Sequence, residues 1–474
     1  MRRPFLVGVL CLFIVGGVGP LLPAQNPPAL APPRPRYETL RYDEDWSYLR
    51  DISRRSDFWD PVKYIRLNPD DSWYVSLGGE TRFRYEAYHN SNFGSDPSKY
   101  NGYLLQRHLF HTDFHLGEHA RFYGQILSAL ENGRGGGPRS IDEDRLDLQQ
   151  SFLELKFSFA TKSDFFIRAG RQEIDLGSSR LVSTREPQNV RQRFDGLRLE
   201  ITTGNHAWRI GALATRPVIP KSDLFDDVPD HTVTFTGAYV IMPNPAIPGG
   251  RMSFYWAGFG RKLSRYDQGT GQEFRNTLGT RYFGIWKNFD YNYEFIYQIG
   301  SFRQGRIRAW TIATDSGYTF QTVRFYPRFG LGADISSGDR DPANPDLQTF
   351  NALFANNAYS AKVGLVGPAN SINLNPSVRF RIGEHVIIVS DWAFFWRESL
   401  RDGTYFTSGT LQRTGQNNLQ RFVGSQPSLQ FVYRFSSHLD LTAIYTHVFP
   451  GPFIRQSPPA KPLDYVTNYL TYRF

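Results

Sequence analysis

The sequence predicts an all-β fold, a transmembrane antiparallel β-barrel of about 18 strands, from three observations. Segments of about ten residues alternate between apolar and polar side chains, a period of two that is typical of strands with two different surroundings. Short and long connections alternate between these segments, as they do in outer-membrane barrels. The final segment alternates in the same way and ends on an aromatic residue, Phe474.

The composition agrees with a barrel and argues against other classes. The mean hydropathy is −0.44, too polar for a bundle of membrane helices, whereas a barrel needs apolar residues only at alternate positions. The formal net charge is +9, and most basic residues are arginines, whose planar fork of donors suits carboxylate and phosphate groups. The sequence contains no basic helix or nucleic-acid motif, so we expect no nucleic-acid partner.

The alternating pattern begins only after a long N-terminal region. Residues 1–24 combine a charged start, an apolar core and a final alanine, the pattern of a secretory signal peptide. The single cysteine, Cys11, lies in that core, so no disulfide is expected. Residues 25–72 are predicted to form a proline-rich linker and a periplasmic N-terminal segment. Residues 73–474 are predicted to form the barrel.

An acidic run in the N-terminal segment, residues 43–45, has two interpretations. It is either part of a solvated surface or part of a periplasmic cap that contacts a basic barrel interior. The sequence leaves both open.

From Trp73 onward the strands follow in order with little change of pattern. Each has one aliphatic and aromatic face and one face of Arg, Glu, Asp, His or Gln. The clearest examples are residues 75–85, 104–116, 323–331, 374–382 and 429–435.

The connections distinguish a membrane barrel from a soluble sandwich, because only the barrel has short periplasmic turns alternating with long extracellular loops. The predicted short links are residues 117–119, 203–205, 383–385 and 436–438. The predicted long links are residues 89–101, 132–145, 174–193, 217–231, 262–276, 334–372, 398–425 and 450–463.

The stretch 165–199 combines two strands with a long arginine-rich loop. Both strands place arginine opposite their aliphatic residues, which predicts a pore lining if the aliphatic face meets lipid. The loop is predicted to fold inward and narrow the pore with Arg180, Arg185, Arg191 and Arg193. The alternatives are a loop that splays outward and a hairpin of a soluble sandwich.

The C-terminal strand carries a localisation signal. Val466, Leu470, Tyr472 and Phe474 share one face, and a closing strand with a terminal Phe is typical of substrates of the barrel assembly machinery. We therefore expect the protein in the outer membrane of a Gram-negative bacterium, and we expect it to be a monomer. Its expected contacts there are outer-membrane lipid, lipopolysaccharide and that machinery.

Several stretches of the N-terminal half resemble the alginate export family of outer-membrane porins. They are residues 44–50, 77–80, 104–107, 132–138, 170–173, 180–183 and 189–191. The resemblance implies an eighteen-stranded barrel with an electropositive constriction that passes an anionic polysaccharide. It implies Arg82, Arg107 and Arg168 as constriction residues. This sequence departs from the family in one place. Long turns that could gate a pore from the periplasm have no counterpart here, because the turn at 436–438 is short.

Arginine exceeds acid on the predicted inward faces, which favours anions in a narrow lumen. The predicted lining residues are Arg82, Arg84, Arg107, Arg168, Arg198, Arg324, Arg328, Arg379 and Arg381. The sequence thus predicts a channel for anionic solutes, including an anionic polysaccharide such as alginate or its oligomers. Three alternatives stay open: arginines that merely brace the wall through ion pairs, a general or carbohydrate porin, and a secreted all-β sugar-binding protein or enzyme.

The sequence gives no pattern of catalytic or metal chemistry. It has no nucleophile elbow and no phosphate loop, so no enzymatic activity is predicted. His108, His111, His115 and His119 do not share one strand face, which argues against a metal site. No cofactor is expected.

Overall fold

The computed structural model describes residues 37–474 except 161–162, 204–206 and 357–358. The predicted signal peptide and the linker up to residue 36 lie outside the described residues. So does most of the predicted short link 203–205.

The described residues form eighteen long antiparallel strands that close into one barrel, which confirms the predicted fold class. The strands are β1 (Trp73–His89), β2 (Tyr100–Leu116), β3 (Ala120–Asn132), β4 (Asp144–Ala160), β5 (Ser163–Gln172), β6 (Phe194–Thr203), β7 (Trp208–Ile219), β8 (Val233–Pro243), β9 (Arg251–Tyr266), β10 (Gly269–Trp286), β11 (Phe289–Phe302), β12 (Gly305–Thr319), β13 (Arg328–Ser336), β14 (Ser371–Ile382), β15 (Val386–Trp396), β16 (Phe422–Arg434), β17 (Leu439–Pro450) and β18 (Leu463–Arg473). Each strand pairs with the next in the chain, and β18 closes on β1 from Glu80↔Arg473 to His89↔Asp464.

Alternation places the apolar side chains outside and most of the polar ones inside. On β14, for example, Leu374 and Ile382 are exposed on the outer face, while Arg379 and Arg381 have the opposite parity and face the lumen. Closure pairs both edges of each of the eighteen described strands, as a hydrocarbon environment requires.

The connections define two ends of the barrel. The turn end carries the described connections 117–119, 244–250, 287–288, 320–327, 383–385 and 435–438. The loop end carries the long connections 90–99, 133–143, 173–193, 220–232, 337–370, 397–421 and 451–462, and two tight turns at 267–268 and 303–304.

The predicted long link at 262–276 is wrong, because β9 and β10 continue to a two-residue turn. A register shift between Arg261 and Ser264 interrupts the period of two, so this polar stretch has no visible alternation in the sequence.

The strand predicted from residue 323 starts later, at Arg328. Phe325 and Tyr326 have positive φ angles of 69° and 46°, which an extended strand does not allow. Pro327 follows them and lacks the N–H that a ladder needs. Arg324 therefore lies exposed in a turn and is not part of the barrel wall.

Short elements complete the described chain. They are the 3-10 helices Arg41–Asp43, Ser47–Arg50 and Ile52–Arg54, the α-helical turns α1 (Asp60–Lys63), α2 (Ser91–Gly94) and α3 (Pro452–Arg455), and the two-to-three-residue strands Ile65–Arg66, Val228–Pro229, Thr404–Tyr405 and Leu411–Arg413. Among the described residues, no helix has the length and apolar character needed to cross a membrane.

The hydrophobic core lies inside the barrel at the loop end. Residues of connections 173–193 and 337–370, such as Val182 and Phe354, pack against inward residues of β6–β12. A second cluster joins connections 337–370 and 451–462 to the inward faces of β15–β18. The long connections therefore fold into the barrel mouth, and burial of their apolar residues holds them there.

Candidate functional site

The connection 173–193, here the constriction loop, crosses the lumen. On one side its Glu186 pairs with Arg107 of β2 at 2.7 Å. On the other side Ser178 Oγ donates to Glu294 Oε2 of β11 at 2.6 Å, and Arg180 lies 3.9 Å from Asp334 of β13. Since β2 and β11 are nine strands apart in a ring of eighteen, the loop spans the barrel from wall to wall.

Three predicted lining arginines hold this loop through its backbone. Arg82 Nη2 donates to Gln188 O at 2.9 Å, and Arg107 Nη1 donates to the same carbonyl at 2.9 Å. Arg84 donates to Pro187 O. Arg82 and Arg107 are only 3% and 0% exposed, so their guanidinium groups are occupied by the loop.

Six of the nine predicted lining arginines form ion pairs with acids. The pairs are Arg82–Glu186, Arg84–Glu86, Arg107–Glu80, Arg168–Glu154, Arg198–Glu200 and Arg328–Asp290. Three of these pairs join different strands, as in the alternative in which arginine and acid brace the wall: Arg107–Glu80, Arg168–Glu154 and Arg328–Asp290. Their charge is largely balanced, which weakens their field in the lumen.

Arg379 and Arg381 differ from the other predicted lining residues. Both are exposed toward the lumen near the turn end, and neither has an ion pair among the described residues. Arg379 lies directly opposite Arg328 of β13, and like charges in this position repel each other. This part of the wall therefore carries an uncompensated positive charge.

The four constriction-loop arginines have different environments. Arg191 pairs with Glu173 at 2.8 Å, and Arg193 pairs with Asp144 at 3.0 Å. Arg180 lies near two wall acids, 3.8 Å from Glu294 and 3.9 Å from Asp334. Arg185 has no acidic partner among the described residues, and its Nε donates to Ala355 O at 3.2 Å. Burial, with Arg261 nearby, lowers the pKa of Arg185 to about 10, so this guanidinium keeps its charge at neutral pH.

A vestibule opens from the loop end onto the constriction loop. Its volume is about 1640 Å³, including the part open to solvent. The basic residues that line it are Arg84, Arg134, Arg139, Arg185 and Lys362, and the acids are Glu86, Asp96 and Asp142. Tyr88, Tyr465 and Phe406 give it aromatic surface. This combination can hold a carboxylate and a sugar or aromatic ring together.

One group of acids has the spacing of a metal site. Asp144, Asp147 and Asp227 can bring their oxygens within 4.8 Å of one another. The guanidinium of Arg193 lies between them, because it contacts both Asp144 and Asp227. An arginine thus already supplies the positive charge, and the described residues give no support for a metal at this cluster.

The sequence of this barrel matches a known protein family. The family model described as alginate export matches residues 73–467. This range runs from the start of β1 into β18. The chain belongs to the alginate export family. The resemblance found in the N-terminal half therefore extends over the whole barrel, and the predicted family is confirmed.

Solved structures share the fold of this alginate export family member. Pseudomonas aeruginosa OccD3 (OpdP) is 11% identical, with a TM-score of 0.56 over 87% of this chain and 93% of that one. A BenF-like porin from Pseudomonas fluorescens Pf-5 is 9% identical, with a TM-score of 0.56 over 84% and 98%. Pseudomonas aeruginosa OpdK with vanillate is 9% identical, with a TM-score of 0.53 over 84% and 98%.

A search of curated proteins gave no match. Family and fold together identify an outer-membrane channel protein.

Connection 337–370 supports the constriction loop, a role that the sequence did not predict. Phe354 N donates to Leu181 O of the constriction loop at 2.8 Å, and Asn356 N donates to Ser179 O at 3.2 Å. Lys362 reaches β16, where its Nζ donates to Gln430 Oε1 at 2.7 Å. The available signal was the apolar content of a loop expected to be polar.

Proposed function

We propose that the channel passes anionic solutes, and that carboxylated saccharides of oligomer size are its preferred class. The observation that carries this proposal is the pair Arg379 and Arg381, which face the lumen without acidic partners among the described residues. A lumen with one excess sign of charge and low-dielectric walls concentrates the counter-ion.

The vestibule supports the same class of solute. Arg185 and Lys362 line it without ion pairs among the described residues, and the rings of Tyr88 and Tyr465 line the same cavity. Arginine binds carboxylate with two parallel hydrogen bonds, and sugar rings pack on aromatic faces. A uronate offers both groups at once, whereas chloride offers neither geometry.

The crossing loops favour oligomers over a long polymer in this conformation. The constriction loop and connection 337–370 fill much of the lumen and are joined by the Val182–Phe354 bridge. Passage of an anionic polysaccharide such as alginate would require these loops to move aside. By the usual placement of long loops, the vestibule faces the cell exterior.

The second candidate is a general or carbohydrate porin without charge preference. The six wall ion pairs favour it, since paired arginines contribute little net field. The two candidates differ in whether Arg379 and Arg381 control the solute.

Reversal potential in a planar bilayer under a KCl gradient separates the candidates. We expect the wild type to favour chloride and the variant Arg379→Ala with Arg381→Ala to lose most of that preference. Arg324→Ala is the matched control, because it removes an exposed arginine from a turn at the same end that is not part of the barrel wall. Oligouronates should block current more strongly than neutral oligosaccharides of equal length. Cation preference in the wild type, or equal block, would contradict the proposal.

A further inference from the structure

Residues 37–64, here the plug segment, lie at the turn end of the barrel, where residues such as Tyr42 and Lys63 are buried against the inner wall and most of residues 50–58 are exposed. Tyr42 shows this most clearly, because its ring packs edge-on against Tyr123 of β3 and Phe152 of β4, at 5.9 and 5.5 Å between centroids. Arg168 of β5 lies 4.2 Å above the same ring. All three are inward-facing wall residues. The segment therefore occupies lumen space and is not a tail outside the barrel.

Hydrogen bonds fix Tyr42 at both ends. Its hydroxyl donates to Glu173 O at 2.8 Å, and its own carbonyl accepts from Arg121 Nη2 of β3 at 2.6 Å. Burial raises the pKa of Tyr42 to about 12, so the hydroxyl stays a donor at neutral pH. The plug segment is thus tied to both the wall and the first residue of the constriction loop.

A second contact lies on β1 and β2. Lys63 is fully buried, and its ammonium lies 5.1 Å from the Trp46 ring and 5.9 Å from the ring of Phe474. The wall has a glycine there: a Cβ on Gly78 would lie 2.5 Å from Lys63 Nζ and 2.6 Å from His111 Cε1. Because Gly78 has no side chain, β1 leaves space for Lys63 of the plug segment at this position.

The third contact joins the plug segment to the closing strand. Arg41 Nη1 donates to Gly79 O at 3.0 Å and Nη2 to Phe474 O at 2.9 Å, on the two strands that close the barrel. Tyr37 Oη and His438 Nδ1 are 3.2 Å apart, at the turn between β16 and β17. These contacts cover the inward side from β16 round to β5.

Asp43, which follows Tyr42 in the chain, lies near Arg168, Arg198 and Arg121 of the wall. Burial raises its pKa, and Arg168, Arg198 and Arg121 oppose that effect. Its carboxylate adds negative charge on the side where the wall arginines lie, so charge complementarity supports docking.

We propose that the plug segment closes this side of the turn end from within the same chain. Release of the segment from the wall then raises the conductance of the channel. The contacts that Tyr42, Lys63 and Arg41 make with the constriction loop and the barrel wall stabilise the closed state. The proposal concerns conductance and goes beyond the anion preference proposed above.

The test uses the full chain in planar bilayers. Arg41→Ala with Tyr42→Ala removes two docking contacts and should raise single-channel conductance about twofold, because the contacts of the segment extend over eight of the eighteen strands. Glu38→Ala with Asp45→Ala is the control within the same segment: Asp45 is exposed, and Glu38 uses only its backbone N–H among its described hydrogen bonds. The control should keep wild-type conductance.

A reversible lock makes the test independent of variant stability. The only natural cysteine is Cys11, so Tyr37→Cys with His438→Cys can be joined by a short disulfide-forming cross-linker. The cross-linked channel should stay at the low level and lose any excursions to the higher level, and a reductant should restore them. Unchanged conductance in a heat-modifiable Arg41/Tyr42 variant, or excursions that persist in the cross-linked channel, would overturn the plug. If release of the plug segment raises the conductance but the channel prefers cations, the plug proposal stands and only the proposed anion preference is contradicted.

Discussion

At the residue scale, a buried ion pair connects the constriction loop to the wall. Arg107 is fully buried and pairs with Glu80 and Glu186, while the Glu186 side chain keeps 36% exposure to lumen water. Removing one partner of a buried pair leaves the other charge uncompensated. We therefore expect Arg107→Met, which strands two acids, to impair assembly more than Glu186→Gln.

The pH response of this pair is a specific prediction. Burial opposes ionisation of Glu186, but Arg107 and Arg82 outweigh it and lower its pKa from 4.5 to about 2. A lowered acid pKa stabilises the docked loop fully above 4.5, and that contribution is lost as pH falls through about 2. Wild-type conductance should thus stay constant from roughly pH 8 to pH 5 and change only below that range.

The comparison variant is Glu186→Gln, which should show a less rigid loop, with noisier and larger currents, at neutral pH. Glu384→Gln, an exposed acid of turn 383–385, should behave like the wild type. A wild-type transition near neutral pH that disappears in Glu186→Gln would contradict the lowered pKa.

The inward direction of Arg379 and Arg381 could be predicted from period two alone, because parity within a strand is a local property. The partner of Arg168 could not. Arg168 pairs across strands with Glu154, and register across strands is not written in the local pattern.

At the element scale, one asparagine joins two of the long connections. Asn370 Nδ2 donates to the carbonyls of Ser399, Asp402 and Gly403 at 3.1, 3.0 and 2.8 Å, and its Oδ1 accepts from Ser399 N at 2.6 Å. These bonds tie connection 337–370 to connection 397–421.

We predict that Asn370→Ala loosens both connections without opening the barrel. Losing the side chain leaves buried backbone groups unpaired, at a cost of about 1–3 kcal/mol. Limited proteolysis of the folded barrel should cut the two connections faster. Asn417→Ala is the matched control, since Asn417 is exposed in the same region and also has a positive φ, 60° against 48°. Equal cleavage in both variants would show that backbone strain alone is responsible.

The strands were predictable at this scale and the loop paths were not. Strand alternation is local, whereas the path of the constriction loop depends on contacts such as Ser178 with Glu294, 116 residues away. The position of the plug segment also depends on contacts that are distant in sequence, so the sequence left two interpretations of its acidic run open. Glu44 is buried against Arg41 and Trp46, while Asp45 is exposed.

At the scale of the whole molecule, closure and occlusion share the same residues. Phe474 N donates to Gly79 O at 3.0 Å, and Gly79 N donates to Phe474 O at 2.9 Å, which extends the β1–β18 ladder to the last residue. Phe474 O also accepts from Arg41 of the plug segment. The chain terminus therefore completes the barrel and anchors the segment that fills it.

Deleting Tyr472–Phe474 should prevent stable closure, because it removes the last pairs of β18 with β1 and the aromatic terminus together. The expected result is loss of the fast-migrating unheated band in SDS and loss from the outer-membrane fraction. Phe474→Ala keeps the backbone pairs with Gly79 and removes only the ring, which lies 4.4 Å from the Trp59 ring. This variant should assemble with reduced yield and, once assembled, run as a heat-modifiable barrel with a less firmly held plug. A deletion variant that still assembles and shows wild-type heat modifiability would mean that closure rests on the remaining pairs from Arg82 to His89 alone.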